Sequence, residues 1–243
     1  MAKPNYIPAL LLVGGGALVY HMMKRKSAEA DASSEAAPES SAQPPAADAA
    51  PGRGGLMQIP TAKFKGPSKG VALIGDSIMQ GAAANVKTAK VGKPVVGEPL
   101  LNMQKQINSI PAAAKVDAMV ISGGLNDLAG KATAADIVER ASKLWSNGLS
   151  RGWRVAHLEL SPFSGGEYAK KLSEAERVKA NAALELAAKQ AGVTFIKTSG
   201  LLADPTAPEK LKKELAAPDG LHLTPEGYKK LGSLIDLWLG GLA

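Results

Sequence analysis

The chain has 243 residues, of which 45% are hydrophobic and 21% charged, and it contains no cysteine. This length is enough for one ordinary domain with appendages or for two small domains. The lack of cysteine excludes a disulfide scaffold, a cysteine-ligated metal site and a thiol nucleophile. The formal net charge is +7, but the Lys and Arg residues are scattered among the acidic residues. This charge pattern does not indicate a nucleic-acid partner.

Residues 1–26 are predicted to be an N-terminal membrane anchor. Residues 6–23 contain no Lys, Arg, Asp or Glu, and three cations follow at residues 24–26. An uncharged run of this length can just span a hydrocarbon core of about 30 Å, with the lipid bilayer as its partner. Because the three cations separate the run from any small-residue cleavage site, a single uncleaved span is favoured over a cleaved signal peptide. The flanking cations slightly favour a cytoplasmic domain, so the side of the membrane stays open.

Residues 27–62 are predicted to be a disordered linker rich in Ala, Ser and Pro. Residues 27–52 contain ten Ala, five Ser and four Pro, and no aliphatic side chain larger than that of alanine. Such a segment cannot bury enough apolar area to offset the entropy of ordering it. We therefore expect a tether between the anchor and a folded domain.

Residues 63–243 are predicted to form one α/β domain. Apolar runs typical of buried strands occupy residues 70–74, 117–122, 155–160 and 193–197, with 93–96 as a weaker fifth candidate. Helical patterns lie between them, and three helices have clear N-caps at Thr133, Ser173 and Thr224. Alternation of this kind predicts a parallel sheet covered by helices on both faces.

Three short motifs bring polar side chains to the ends of these elements. Residues 75–78 (GDSI) follow the first strand, residues 123–127 (GGLND) follow a later strand, and residues 219–222 (DGLH) precede the last helix. In an open parallel sheet, ligand sites form beyond the carboxyl ends of the strands. Each motif alone is typical of an ordinary turn, but together they predict one site.

The residue types in these motifs fit nucleophilic catalysis by a serine. A serine hydroxyl is a poor nucleophile until a base takes its proton, and the base needs a carboxylate that fixes its tautomer. Ser77, His222 and Asp219 are candidates for these three roles. The N–H of Ser77, a loop glycine N–H and the side-chain amide of Asn126 are candidate donors to a developing oxyanion.

The order GDS…G…GxND…DxxH resembles the SGNH (GDSL-type) hydrolases from about residue 71 to the C-terminus, most of all in residues 219–228 (DGLHLTPEGY). The resemblance implies Ser77 as nucleophile, His222 as general base and then acid, and Asp219 as the orienting carboxylate. It also implies an oxyanion hole of Ser77, Gly97 and Asn126. Gly92 stays open as an alternative to Gly97, because this part of the motif pattern is short.

The same resemblance implies a fold and an activity. The fold would be a three-layer αβα sandwich around a five-stranded parallel sheet of flavodoxin-like order. The activity would be hydrolysis of acyl esters, O-acetyl esters among them, on a carbohydrate, peptidoglycan or lipid, with no cofactor and no metal. Acyl transfer by the same site and a non-catalytic binding module on the same fold are the alternatives.

Other polar residues near these motifs are expected to be structural. Asp76 is expected to hold its turn, and His157 lies in a strand pattern typical of a core histidine. Glu159 and Ser161 fall at a strand end and are expected to border a pocket. Residues 163–166 form a Gly-rich loop that is a candidate for substrate contact.

Overall fold

The computed structural model describes residues 67–241. These residues belong to one of the two units into which the chain divides, Gly55–Ala243. The predicted anchor (residues 1–26) and linker (residues 27–62) lie outside the described residues. Among the residues that are described, no helix combines the length and apolar character needed to cross a bilayer.

The central sheet has five parallel strands. These are β1 (Val71–Gly75), β2 (Lys90–Val91), β3 (Ala118–Ser122), β4 (Arg154–Leu158) and β5 (Thr194–Ile196). Their order is β2-β1-β3-β4-β5, and every neighbouring pair is parallel. The predicted five-stranded parallel sheet of flavodoxin-like order is confirmed.

Eight helices accompany the strands in the described part of the chain. They are α1 (Ser77–Ala83), α2 (Gln104–Asn108), α3 (Leu125–Ala129), α4 (Ala134–Ser150), α5 (Gly166–Ala169), α6 (Glu174–Ala191), α7 (Ser199–Leu202) and α8 (Pro225–Leu239), with a 3₁₀ turn at Leu100–Asn102. Side-chain caps start the three long helices, because Thr133, Ser173 and Thr224 each accept a hydrogen bond from a backbone N–H three residues on. The predicted N-caps are confirmed.

Helices cover both faces of the sheet. Successive side chains of a strand point to opposite faces, so alternate residues of β1 show what packs on each face. Ala72 and Ile74 of β1 pack in the apolar cluster that contains residues of α4 and α6. Val71 and Leu73 pack in the cluster that contains residues of α1 and α8. The described domain therefore has three layers, helix–sheet–helix.

One predicted strand is wrong in position, and one small sheet was not predicted. The edge strand β2 is Lys90–Val91 rather than residues 93–96, and it pairs with Val71 and Ala72. The pattern failed because an edge strand of two residues, both at least partly exposed, has no alternation to detect. β6 (Ala203–Asp204) and β7 (Ala207–Leu211) form a separate antiparallel pair.

Candidate active site

The turn after β1 presents Ser77 at the carboxyl edge of the sheet. Asp76 caps helix α1, its Oδ1 accepting a hydrogen bond of 3.0 Å from the N–H of Ile78. Gly75 ends the strand where a side chain would not fit, because a Cβ there would lie 2.6 Å from the Cβ of Met79. The strand thus passes into helix α1 through Asp76 alone, and Ser77 is the first residue of α1.

A buried glutamine that the sequence did not single out holds this turn. The N–H of Gly75 donates to Oε1 of Gln106 at 2.9 Å, and Nε2 of Gln106 donates back to the Gly75 carbonyl at 2.9 Å. Gln106 lies on α2, 31 residues further along the chain. No local pattern signals a contact of this kind, since the two residues meet only through the fold.

The imidazole of His222 lies between Ser77 and Asp219. Its Nε2 is 2.8 Å from the Ser77 Oγ, and its Nδ1 is 2.5 Å from Oδ2 of Asp219. The other carboxylate oxygen, Oδ1, accepts from the N–H groups of Leu221 and His222 at 3.0 and 2.9 Å. Partial burial pushes the pKa of Asp219 upward, but the hydrogen bonds from His222 and Leu221 outweigh it, so this pKa lies below its usual value.

The side-chain amide of Asn126 lies against the same turn. Its Nδ2 is 3.2 Å from Oδ2 of Asp76 and 3.4 Å from the carbonyl oxygen of Glu98. Its Oδ1 accepts a hydrogen bond of 2.5 Å from the hydroxyl of Tyr168. Asp76 is buried, and this burial raises the pKa of its carboxyl to about 6 despite hydrogen bonds from backbone N–H groups.

The two candidate oxyanion glycines lie in different surroundings. Gly97 is exposed at φ 72° in a turn whose Glu98 N–H donates to the Val95 carbonyl, and the Val95 N–H donates to the Gly75 carbonyl at 2.9 Å. Gly92 lies against the backbone of β1, since a Cβ there would be 2.4 Å from the Leu73 carbonyl oxygen. Of the two glycine segments, the turn with Gly97 is the one that donates a hydrogen bond to Gly75, at the end of β1 that leads to Ser77.

Asp127, next to Asn126, fastens two neighbouring segments. Its side chain is buried, and its Oδ2 accepts from the Leu100 N–H at 2.9 Å while its Oδ1 pairs with the Arg140 guanidinium at 2.8 Å. The first contact holds the segment that follows Gly97 close to α3, and the second joins α3 to α4. The residue therefore has a structural task in the site wall.

Other polar residues lie as the sequence suggests. His157 is fully buried, the Trp145 indole N–H donates to its Nδ1 at 3.0 Å, and burial lowers its pKa to about 4. It is thus a neutral core histidine. Glu159 and Ser161 line a small cavity beside Asp76 whose lining does not include Ser77 or His222, and Oε2 of Glu159 accepts from two N–H groups at the start of α7.

The Gly-rich loop at residues 163–166 lies beside the site. The N–H of Ser164 donates to the carbonyl of Gly220 at 2.7 Å, within the motif that carries Asp219 and His222. The loop thus contacts the carboxylate–imidazole pair through its backbone. Its predicted contact with substrate stays a prediction.

A parallel sheet whose carboxyl edge presents a serine, a histidine and a carboxylate in hydrogen-bond contact is an arrangement found in serine hydrolases. The family model of the GDSL-like lipase/acylhydrolases matches residues 73–230. The chain therefore belongs to this family, and it is an ester hydrolase of the SGNH type. No curated protein sequence matches it.

Solved structures of the same fold come from several bacteria. A GDSL-like lipase from Bacteroides thetaiotaomicron is 18% identical, covers 72% of this chain and 89% of its own, and has a TM-score of 0.60. A lipase/acylhydrolase from Enterococcus faecalis is 20% identical over 71% and 96% of the two chains, with a TM-score of 0.56. An aryl esterase from M. smegmatis is 16% identical over 72% and 100%, with a TM-score of 0.55. At these identities the likeness establishes the fold.

Proposed function

We propose that this protein is a membrane-anchored serine esterase that hydrolyses acyl esters, O-acetyl esters among them, through an acyl-enzyme. The observation that carries the proposal is the 2.8 Å contact between the Ser77 Oγ and Nε2 of His222. A general base must lie within hydrogen-bond reach of the proton that it removes. This distance meets that requirement without any movement of the chain.

In the first half of the reaction, Nε2 of His222 takes the Ser77 proton as Oγ attacks the ester carbonyl. Asp219 holds the other ring nitrogen as Nδ1–H and stabilises the imidazolium. The tetrahedral intermediate collapses when His222 gives its proton to the leaving alcohol, which leaves the acyl group on Ser77. Water then attacks this acyl-enzyme with His222 as base, and the carboxylic acid is released.

The negative oxygen of the tetrahedral intermediate would be bound by the N–H groups of Ser77 and Gly97 and by Nδ2 of Asn126. Ser77 is the first residue of α1, and the first N–H groups of a helix have no acceptor inside that helix. In the turn at residues 95–98, the bond from Glu98 to Val95 does not use the N–H of Gly97. These two features support the N–H groups of Ser77 and Gly97 as donors to that oxygen.

The membrane part of the proposal rests on the sequence. Residues 6–23 are uncharged over a length that can span a bilayer. The following linker would hold the esterase domain, residues 63–243, near the membrane surface. That position favours acyl esters of envelope carbohydrate, peptidoglycan or lipid as substrates.

The catalytic proposal is tested with Ser77→Ala and a p-nitrophenyl acetate assay. Turnover should fall on the order of 10⁴-fold or more, because the nucleophile is lost. A fluorophosphonate probe should label the wild-type protein and not this variant. Ser233→Ala, which changes an exposed serine on α8, is the matched control and should keep wild-type turnover. Wild-type hydrolysis by Ser77→Ala would remove Ser77 from the mechanism.

The anchor is tested by fractionation. The full-length protein should stay in the membrane pellet after alkaline carbonate extraction, and a variant lacking residues 1–26 should be found in the supernatant with its esterase activity. Protease cleavage of the linker in intact cells should then report on which side the domain lies. Extraction of the full-length protein by carbonate would contradict the proposed membrane anchor and would leave the catalytic proposal unchanged.

A further inference from the structure

One segment contacts both the turn that carries Asp219 and His222 and the proposed oxyanion donor Asn126. We call residues 164–168 the strap. At its start, the Ser164 N–H donates to the Gly220 carbonyl at 2.7 Å, and the Ser164 hydroxyl donates to the Leu211 carbonyl at 3.1 Å. The strap is thus tied at its start to the turn that carries the catalytic carboxylate and imidazole.

Close backbone contact fixes the middle of the strap. A Cβ on Gly166, which has φ 83°, would lie 2.0 Å from the carbonyl oxygen of Asp219. A Cβ on Gly220, at φ 69°, would lie 2.5 Å from the carbonyl oxygen of Gly165. Only glycine allows two backbone segments to approach so closely with these dihedral angles. The start of α5 therefore has a defined position relative to Asp219.

At its other end, the strap reaches the side-chain amide of Asn126. The Tyr168 hydroxyl donates to Oδ1 of Asn126 at 2.5 Å. Tyr168 is half-buried, and burial together with the nearby carboxylates of Asp76 and Asp127 raises its pKa above the usual value. The phenol thus keeps its proton at any ordinary assay pH and remains a donor.

This contact fixes the amide of Asn126 from its oxygen side. On its nitrogen side, Nδ2 donates to Oδ2 of Asp76 at 3.2 Å and to the Glu98 carbonyl at 3.4 Å, distances at and beyond the upper end of the usual range for such bonds. Among the described residues, the Tyr168 hydroxyl is the group that holds the oxygen of this amide. Without it, the amide could rotate or withdraw from the nucleophile turn.

We propose that Tyr168 is a positioning residue, which holds Asn126 by its Oδ1 so that Nδ2 stays next to Asp76, at the turn that carries Ser77, as an oxyanion donor. This inference rests on the proposed function, because it needs the oxyanion role of Asn126. Tyr168 itself does not touch the reacting atoms. It acts through Asn126 and ties that donor to the same strap that contacts Asp219.

Tyr168→Phe removes the hydroxyl and keeps the ring. We expect kcat for p-nitrophenyl acetate to fall about tenfold, a part of the roughly 10²–10³-fold that losing a whole oxyanion donor costs. The KM should change little, since the oxyanion forms only after the ground state. A role confined to stability would lower the melting temperature and leave kcat unchanged.

A double-mutant cycle on the full-length protein tests whether Tyr168 acts through Asn126. Rates of wild type, Tyr168→Phe, Asn126→Ala and the double variant are measured, each corrected for the rate of Ser77→Ala. We expect the Tyr168 change to cost about tenfold in the wild-type background and under about twofold in the Asn126→Ala background. The same factor in both backgrounds, or no effect in the wild type, would overturn the inference.

Two further measurements keep the outcomes apart. Glu167→Gln breaks the exposed ion pair with Lys170, the residue that follows α5. It is the matched control and is expected to keep kcat and melting temperature. If Ser77→Ala hydrolyses as fast as wild type, the proposed function itself fails. If Ser77→Ala is inactive and the cycle is additive, only the positioning role of Tyr168 fails.

Discussion

Replacing Asp76 by asparagine should change how the stability of the protein depends on pH. Burial raises the pKa of this carboxyl from 3.8 to about 6 in the folded protein. Between these two values, the folded protein holds the proton and the unfolded chain has released it. The stabilisation from this group is therefore fully present below the unfolded pKa and is lost as the pH rises through the folded one.

The expected magnitude follows from the size of the shift. About two pKa units correspond to about 3 kcal/mol of unfolding free energy, of which about 2 kcal/mol falls between pH of about 4.5 and about 7.5. Asparagine does not titrate, and its Oδ1 can still accept the hydrogen bond that the Ile78 N–H donates to Asp76 at 3.0 Å. The stability of wild type minus that of Asp76→Asn should therefore fall by about 2 kcal/mol over this range.

Urea unfolding followed by tryptophan fluorescence at several pH values measures this difference. His157 contributes the opposite trend, because its pKa is lowered from 6.5 to about 4 by burial, so its stabilisation is lost as the pH falls through that window. This contribution is common to both proteins and cancels in the difference. A difference that stays constant within about 0.5 kcal/mol would refute a raised Asp76 pKa.

Two further variants test the acid–base motif and the strap. Asp219→Asn can no longer hold the His222 imidazole as Nδ1–H, so kcat should fall about 10³–10⁴-fold with little change in melting temperature; near-wild-type ester turnover would remove Asp219 from the mechanism. Gly166→Ala places a Cβ 2.0 Å from the Asp219 carbonyl oxygen, which should cost about 1–3 kcal/mol in thermal unfolding and lower kcat as Asp219 shifts. Gly200→Ala meets no atom within 4 Å and is its matched control; equal melting temperatures for the two variants would contradict the close approach.

The elements that the sequence predicted correctly are those whose signal is local. The strands β1, β3, β4 and β5 are apolar runs. The helices that start after Thr133 and Thr224 have capping side chains that accept from a backbone N–H three residues on. These signals depend on neighbours in the chain, so they are visible before folding. The shortest strand of the central sheet, β2, has no such signal, and the sequence placed it about three residues too late.

The contacts that the sequence did not predict join residues far apart in the chain. Gln106 pairs with Gly75 across 31 residues, and Tyr168 reaches Asn126 across 42. Nothing in the sequence around the buried glutamine on α2 or the tyrosine on α5 indicates these partners. Their partners exist only because the carboxyl ends of different strands meet at one edge of the sheet.

For this protein, the sequence alone determined the alternation of strands and helices, the family, and the candidates for nucleophile, base and carboxylate. Tertiary structure decided that the Ser77 Oγ and Nε2 of His222, 145 residues apart, lie 2.8 Å from each other. It also decided that the turn with Gly97, and not Gly92, bonds the end of β1. The reason is that residue type sets which reactions are chemically available, whereas distances of 3 Å between distant segments are set by packing of the whole sheet and its helices.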